Sequence, residues 1–202
     1  MLNNIFLKSF LVLFIFIIIC FTGIICTLSN LEAFSPNDSN LPSIDITNSL
    51  FSWPTPNYNA ITSYFGYRKA PTAGAGSFHS GIDIGAPSGA NIVATFSGKV
   101  TYIGFYGANG YTIIISNGVY TATYSHISPH FLVYLGQYVN QGDVIANVGP
   151  KNVYGVPNNP YKDSKGNPTN GATTGPHLHF SIKIDGKAVN PLNYISSSSS
   201  MQ

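Results

Sequence analysis

The sequence predicts an all-β protein, and three observations support that expectation. The 202 residues include 20 glycines, 13 prolines and 13 tyrosines, a mixture typical of short strands joined by tight turns. Short runs of β-branched and aromatic residues alternate with Gly and Asn turns from residue 53 onward. The sequence contains no amphipathic helix of useful length and no solenoid-type repeat. We therefore expect one folded domain built on a largely antiparallel sheet.

Composition also narrows the function classes. Charged residues make up 8% of the chain and the formal net charge is +2, whereas an average soluble protein is roughly 25% charged. Such a chain has no broad basic surface that could hold phosphates by counterion release. We expect no nucleic-acid partner.

The first element along the chain is an apolar run. Residues 10–28 are almost entirely apolar, and at a rise of about 1.5 Å per residue a helix of that length approaches the ~30 Å hydrocarbon core of a bilayer. Lys8 precedes the run, while Glu32 and Asp38 follow it. By the positive-inside rule, residues 1–29 are predicted to be a single-pass transmembrane signal anchor in the cell membrane, with the rest of the chain extracytoplasmic.

A cleaved signal peptide is the alternative reading of the same run. Thr27-Leu28-Ser29 is its best candidate cleavage site, but no convincing small-x-small pattern follows, and the run is longer than a usual secretory h-region. Cleavage would release a secreted protein. The folded domain lies outside the cytoplasm in either case.

Both cysteines, Cys20 and Cys26, lie inside this apolar run. The exported part therefore has no thiol, which excludes a disulfide, a cysteine nucleophile and a cysteine metal ligand there.

Beyond the apolar run, residues 30–52 are rich in Ser, Asn, Asp and Pro, which indicates a linker. The folded domain is predicted over residues 53–195. Asn117-Gly118 and Asp185-Gly186 are predicted to form two-residue type I′ hairpin turns. Strands are predicted at residues 91–96, 99–103, 111–116, 119–125 and 177–184.

Two segments near the end of the chain do not read as strands. Residues 149–175 are rich in Asn, Pro and Gly and predict a long loop, which in compact domains is often a lid or binding loop. Residues 196–202 are predicted to be a disordered tail.

The histidines indicate the chemistry. His79 and Asp83 lie in a Gly-rich segment that favours a turn entering a strand. In His177-Leu178-His179 the two imidazoles project from one face of a strand, which suits a metal ligand and its neighbour. These residues suggest a mononuclear site with two imidazoles and one carboxylate. Such a set leaves a fourth position open, as in catalytic zinc sites.

Elimination supports histidine as the catalytic residue type. The single Glu of the chain is Glu32, in the predicted linker, so a helical His-Glu-x-x-His site is excluded. The sequence has no Gly-x-Ser-x-Gly elbow and no phosphate-binding loop. Histidine remains as the group that could orient a water molecule and protonate a leaving amine.

Three separated motifs resemble the lysostaphin-type zinc peptidases of bacterial cell walls. They are the run at residues 61–83, Tyr124-Ser125-His126-Ile127 with the glycine-punctuated stretch at 136–145, and residues 174–180. The resemblance spans about residues 53–195 and keeps the motif order. It implies a β-roll peptidase domain of the duplicated-hybrid-motif type, one zinc ion, and hydrolysis of peptide bonds in peptidoglycan.

The resemblance also assigns roles to individual residues. It implies that His79, Asp83 and His179 bind zinc. It places His126 and His177 beside the metal-bound water as catalytic residues. Which of the two histidines takes the base, oxyanion or leaving-group role is left open.

Other positions are assigned from the same motifs. Arg68 matches the arginine after the family's Phe-Gly-x and is expected to steady a substrate carbonyl or carboxylate, with surface ion pairing as its alternative. His130 matches no motif and is read as a bystander. Ser181 departs from the family's Glu or Gly outside the ligand set. The loop at 150–172 is expected to form one wall of the substrate groove.

The sequence therefore predicts a zinc endopeptidase acting on peptidoglycan, either on its stem peptides or on its cross-bridges. Two alternatives use the same fold without requiring catalysis. One is a module that binds the wall or activates another hydrolase. The other is an assembly module of a secretion, sporulation or conjugation apparatus. No feature of the sequence singles out a protein partner.

Overall fold

The computed structural model describes residues 51–195, which form twelve short strands and two 3₁₀ turns, at Gly107–Asn109 and Pro191–Asn193. Within that range there is no α-helix, and the all-β prediction is confirmed. The strands are β1 (Ile61–Ser63), β2 (Gly66–Tyr67), β3 (Phe78–His79), β4 (Ile82–Ile84), β5 (Asn91–Val93), β6 (Gly98–Phe105), β7 (Tyr111–Ser116), β8 (Tyr120–Ser125), β9 (Tyr138–Val139), β10 (Val144–Asn147), β11 (Leu178–Ile184) and β12 (Lys187–Val189).

One large sheet dominates these strands. Its order is β1-β4-β11-β8-β7-β6-β9, and β12 pairs with the second half of β11. Two further ribbons form from β10 with β5 and from β2 with β3. Every pair of these strands is antiparallel, as predicted. Strands β4 and β11 are neighbours in the sheet, so residues that are far apart in sequence lie close together there.

The alternation of side chains along β11 separates core from site. Leu178, Phe180 and Ile182 are fully buried in the hydrophobic core, each contributing about 1.5–3 kcal/mol through burial. Because successive strand residues point to opposite faces, His179 lies on the other face. The same core therefore fixes which way His179 points.

Two hairpin turns were predicted, and they have different outcomes. Asp185 and Gly186 both have positive φ, at 49° and 76°, so the predicted turn between β11 and β12 is confirmed. Between β7 and β8 only Gly118 has positive φ, and the Asn117 N–H donates to the Tyr120 carbonyl. The loop is therefore Gly118-Val119, one residue later than predicted, because the Asn117 side chain accepts from the Tyr120 N–H and ends the strand.

The predicted strand ends are mostly within a few residues of those observed. The strand predicted at 111–116 is found there, whereas the one predicted at 91–96 ends at Val93. Ala94 still donates to the Asp143 carbonyl, but the next N–H, that of Thr95, donates to the Tyr124 hydroxyl at 2.8 Å. A side chain of the core replaces a strand partner at that point.

The folded region reaches two residues before its predicted start at residue 53. Phe51 is fully buried, bridges to Ile195, and packs edge-on against Tyr120. The predicted membrane anchor, most of the linker and the predicted tail lie outside residues 51–195. Among the residues described, none belongs to a helix long and apolar enough to cross a bilayer.

The long loop at residues 150–172 is held together by Asp163. Its carboxylate accepts hydrogen bonds from the backbone N–H groups of Lys165 and Asn167 and from the side-chain amides of Asn152 and Asn167. Desolvation acts to raise the pKa of Asp163, but these hydrogen bonds, above all those from Asn167, lower it to about 2. The loop is therefore folded around the carboxylate of Asp163.

Candidate metal centre

Three strands bring His79, Asp83 and His179 together. His79 ends β3, Asp83 is the middle residue of β4, and Asp83 pairs directly with His179 of β11. The turn between β3 and β4 passes so close to β11 that a Cβ on Gly81 would lie 2.2 Å from the Phe180 carbonyl oxygen. Only glycine fits there, which explains the Gly of the His-Ser-Gly-Ile-Asp run.

The donor atoms of these residues converge. His79 Nε2 lies 2.8 Å from His179 Nδ1 and 3.0 Å from Asp83 Oδ1, and His179 Nδ1 lies 2.9 Å from Asp83 Oδ1. Ligand atoms around a tetrahedral zinc, at bond lengths of about 2.0–2.1 Å, are roughly 3.3 Å apart. This set, which we call the donor cluster, therefore fits a divalent metal ion in number, type and spacing.

Residues behind the donor cluster orient two of its members. His79 Nδ1 donates to the Tyr64 carbonyl at 2.8 Å, and because a carbonyl only accepts, Nε2 is left with its lone pair toward the cluster. Arg68 Nη1 donates to Asp83 Oδ2 at 3.0 Å and also to Ser63 Oγ. Oδ1 of Asp83 is thereby left to face the histidines.

The electrostatics of the cluster favour a cation. Burial acts to raise the pKa of Asp83, but the ring nitrogens of His179 and His79 beside its carboxylate outweigh burial and hold that pKa well below its usual range. Burial lowers the pKa of His179. The cluster thus combines a carboxylate with neutral imidazole, the protonation states that metal binding requires.

His126 lies beside the cluster in a strained conformation. It follows β8, is 7% exposed and has φ of 58°, a backbone region that costs a side-chain-bearing residue about 1–3 kcal/mol. Its N–H donates to the Asn109 carbonyl and its carbonyl accepts from the Gly149 N–H. Its Nδ1 donates to the Asn170 carbonyl at 2.7 Å, which leaves Nε2 unprotonated.

His177 occupies the adjacent position and is oriented in the same way. Its Nδ1 donates to the Gly175 carbonyl at 2.9 Å, and its Nε2 lies 3.7 Å from Asp83 Oδ1. The ring centroids of His126 and His177 are 4.7 Å apart. Burial, followed by the charges of His177 and His179, lowers the pKa of His126 to about 3.

The donor cluster and its two neighbours lie in a groove of about 560 Å³. One wall comes from the chain between β1 and β4, and the other from the turn at Gly107–Asn109 and the segment leading into β11. Its charged lining residues other than histidine are Arg68, Lys69 and Asp83. The groove is lined mainly by small and neutral residues, with dimensions that suit a peptide.

The structure brings together most of the residues singled out from the sequence. His79, Asp83, His126, His177 and His179 all line the groove. His130 is exposed and does not line the groove.

Arg68 also lines the groove, but its Nη1 is engaged by Asp83 and Ser63. It contacts a member of the donor cluster, so it is not an isolated surface residue.

One residue of the site was not anticipated from the sequence. Asn170 is fully buried. Its Oδ1 accepts from the Tyr111 N–H, its Nδ2 donates to the Ile127 carbonyl, and its own carbonyl holds His126. Its position inside a Pro- and Gly-rich loop gives no sequence signal for such a role.

Comparisons with known proteins agree with this geometry. The profile of peptidase family M23 matches residues 77–191, more than half of the chain. The chain is 36% identical to DD-carboxypeptidase/endopeptidase Mpg of Neisseria meningitidis, over 67% of this chain and 27% of that protein. It is 30% identical to the murein hydrolase activator NlpD of Salmonella typhimurium, over 80% of this chain and 36% of that protein. The chain thus spans about a quarter to a third of these relatives.

Solved structures share the fold. A zinc-containing peptidase from Vibrio cholerae matches with a TM-score of 0.54 and 32% identity, over 68% of this chain and 37% of that one. The catalytic domain of the antimicrobial peptidase lysostaphin from Staphylococcus simulans matches with a TM-score of 0.51 and 25% identity, over 68% of this chain and 92% of that one. On these matches, the chain belongs to peptidase family M23, the lysostaphin-type peptidases.

Proposed function

We propose that this protein is a zinc-dependent endopeptidase that hydrolyses peptide bonds of bacterial peptidoglycan. The observation that carries the proposal is the donor cluster on the floor of a peptide-sized groove, with two oriented histidines beside it. Two of its relatives, a DD-carboxypeptidase/endopeptidase and a murein hydrolase activator, support the cell wall as the source of the substrate.

Zinc is the metal that the donor set fits best. His79 would bind through Nε2, His179 through Nδ1 and Asp83 through Oδ1, the atoms that converge. Two imidazoles and one carboxylate are the ligand set of many open catalytic zinc sites. When bound, zinc polarises a scissile carbonyl and lowers the pKa of a water molecule toward ~7.

The remaining chemistry belongs to His126 and His177. Each donates its Nδ1 proton to a backbone carbonyl, so Nε2 is the nitrogen of each ring that can exchange a proton. In our proposal they accept the proton of the attacking water and deliver it to the amine nitrogen as the C–N bond breaks. The products are a carboxylate and a free amine.

We propose that Arg68 orients Asp83 rather than binding the substrate. Its guanidinium donates to Asp83 Oδ2, so it fixes which carboxylate oxygen faces the histidines. Outer hydrogen bonds of this kind typically raise metal affinity by about 10–100-fold.

The location of the protein is a separate part of the proposal. Residues 10–28 are apolar enough to anchor the chain in the cell membrane, with the groove on the extracytoplasmic side. Protease added to intact protoplasts should then digest the folded domain, and alkaline carbonate should leave the chain in the membrane fraction. Release of the chain by carbonate would contradict the anchor.

The activity is tested by incubating the full-length protein with purified peptidoglycan and identifying released peptides by mass spectrometry. Replacing His79 by Ala should abolish stoichiometric zinc binding and peptide release. Replacing His126 by Ala should preserve zinc while lowering the rate about 10²–10⁴-fold.

Full activity of the His126→Ala protein would refute the proposed mechanism. The alternative, an activator without its own activity, predicts that the zinc-loaded wild-type protein releases no peptide, and releases peptide only together with a second hydrolase. That result would refute the endopeptidase.

A further inference from the structure

Asn170 and Thr173 lie behind the groove, in the segment that leads into β11. Asn170 is fully buried and Thr173 is 6% exposed. Neither of them lines the groove, whereas Ala172, Thr174 and Gly175 of the same segment do. The two polar residues are therefore out of reach of a peptide in the groove, and any effect they have on its hydrolysis passes through other residues.

Asn170 is tied to three other segments of the chain. Its N–H donates to the Lys151 carbonyl at 2.8 Å. Its Oδ1 accepts from the Tyr111 N–H at 2.8 Å, and its Nδ2 donates to the Ile127 carbonyl at 2.9 Å. The carbonyl of Asn170, which accepts from His126 Nδ1 at 2.7 Å, is therefore held in place by bonds on both sides of the residue.

The space around the Asn170 side chain admits one orientation. A Cβ on Gly110 would lie 2.4 Å from Asn170 Oδ1, and a Cβ on Gly149 would lie 2.6 Å from Asn170 Nδ2. The amide is packed against the backbone at both ends, and turning it over would leave two buried backbone groups without a partner. The side chain therefore fixes the backbone that meets His126.

Thr173 acts on His177 in a comparable way. Its hydroxyl donates to the Gly175 carbonyl at 2.7 Å and accepts from the Gly175 N–H at 3.2 Å, a local turn that threonine side chains favour. His177 Nδ1 lies 2.9 Å from the same carbonyl and 3.3 Å from the Thr173 hydroxyl oxygen. The hydroxyl thus fixes the carbonyl that receives the Nδ1 proton of His177.

We propose that Asn170 and Thr173 are positioning residues that set the tautomer and orientation of His126 and His177. This rests on the proposed function, in which the two rings exchange protons through Nε2. In a neutral imidazole, the partner of one nitrogen decides which nitrogen carries the proton. With Nδ1 bonded to a fixed carbonyl, Nε2 keeps its lone pair free to accept a proton. A carbonyl that moves would let the ring turn or change its tautomer.

The deciding variants are Thr173→Val and Thr173→Ser in the zinc-loaded full-length protein. Valine has the shape of threonine without the hydroxyl, whereas serine keeps the hydroxyl. Magnetic resonance spectra of protein with ¹⁵N-labelled histidine, recorded above the ordinary titration range of the ring, report the tautomer of each histidine. In Thr173→Val, the His177 signals should change from the Nδ1-protonated form to a mixture, while those of His126 stay as in the wild type. Thr173→Ser should keep the wild-type signals.

Kinetics on soluble cross-linked peptides from the wall give the second measurement. Thr173→Val should lower kcat about 10–100-fold and leave KM within about two-fold, because the placement of His177 is lost while the lining of the groove is unchanged. Zinc affinity should stay unchanged, since the hydrogen bonds of the Thr173 hydroxyl reach no member of the donor cluster. Thr173→Ser should recover most of the wild-type kcat.

Thr55→Val is the matched control for the loss of a buried hydroxyl. Thr55 is fully buried, its hydroxyl donates to the Tyr58 carbonyl at 2.8 Å, and it does not line the groove. The Thr55→Val protein should therefore lose stability and keep the wild-type kcat and the wild-type histidine signals.

Asn170→Ala tests the other ring. Loss of the amide leaves two buried backbone groups without a partner, so the backbone of Asn170 shifts. We expect a mixture of tautomers at His126, an unchanged His177, and a fall in kcat of about 10–100-fold. The control is Asn152→Ala, which removes a side-chain donor to the Pro168 carbonyl in the same loop and should change neither ring.

Wild-type His177 signals in Thr173→Val would overturn the inference, and so would a fall in kcat in Thr55→Val as large as that in Thr173→Val. These two variants decide the inference whether or not Asn170→Ala folds. If the zinc-loaded wild-type protein hydrolysed neither walls nor wall peptides, the proposed function would be refuted instead. The histidine signals do not depend on turnover, so they would still test what Asn170 and Thr173 do.

Discussion

The floor and the rim of the groove are built in different ways. On the floor, Asp83 and His179 are paired residues of β4 and β11, and their strand neighbours are fully buried in the core. On the rim, Gly74, in the loop between β2 and β3, lies against the Tyr161 ring of the 150–172 loop, and that loop is organised by Asp163. Sheet register therefore fixes the geometry of the donor cluster, whereas local turn contacts fix the loops around it.

This difference implies that the two regions respond differently to substitution. A change that disturbs the approach of β4 and β11 alters the donor cluster and the core together. A change in the rim alters loop contacts and leaves the register of the sheet intact.

The largest effect is expected from Gly81→Ala, on the floor. The added Cβ would meet the Phe180 carbonyl at 2.2 Å, and a backbone atom in the centre of the sheet cannot move aside. We expect a loss of about 3 kcal/mol of unfolding free energy together with loss of zinc binding, measured by denaturant titration and metal analysis.

The control for that substitution is Gly175→Ala, since a Cβ there meets nothing within 4 Å and the residue has no positive φ. Its unfolding free energy should change by less than about 0.5 kcal/mol. If the Gly81→Ala protein had wild-type stability, the backbone of β11 could move to accommodate the added Cβ. The floor of the groove would then tolerate substitution as the rim does, contrary to our expectation.

The residues on the floor of the groove could be predicted from the sequence because they occur in short motifs with a fixed spacing. His79 and Asp83 are four residues apart, and His177 and His179 are two apart on one strand, so residue type and spacing predicted most of the cluster. The hydrophobic alternation around His179 predicted the face on which it lies.

The contacts that orient the cluster were not predictable in the same way. His79 is held by the Tyr64 carbonyl and His126 by the Asn170 carbonyl, and a backbone carbonyl has no residue-type signature. The Gly74–Tyr161 contact joins two loops far apart in the chain. The turn at Gly118 was placed one residue early because the Asn117 side chain competes for the backbone.

A second, smaller effect is expected behind the floor, at Arg68. Replacing it by Gln removes the charge-assisted bond to Asp83 Oδ2 and should weaken zinc affinity about 10–100-fold, measured by competition with a chelator. Lys183→Gln is the charge-matched control, since Lys183 is exposed on β11. Unchanged affinity in the Arg68→Gln protein would mean that sheet register alone orients Asp83.

The smallest effect is expected on the rim, at Asp163. Its pKa falls from the ordinary 3.8 to about 2 in the folded loop, where hydrogen bonds from Asn167 outweigh desolvation. A carboxyl group with a depressed folded pKa contributes stability that is present above its unfolded pKa and is lost as pH falls through the folded value. The ordering of the loop should therefore weaken between about pH 4 and pH 2.

Hydrogen exchange at the Lys165 and Asn167 amides measures this, because both N–H groups donate to Asp163. Asp163→Asn should lower their protection at neutral pH and remove its pH dependence in that window. A neutral amide oxygen accepts more weakly than a carboxylate oxygen, and the amide nitrogen in place of Oδ2 cannot accept from the Asn152 and Asn167 side chains. Asp185→Asn, in the β11–β12 turn, should leave the protection of both amides unchanged. If protection of the loop amides fell only together with that of β11, the loop would unfold with the sheet, and the rim could not vary independently of the floor.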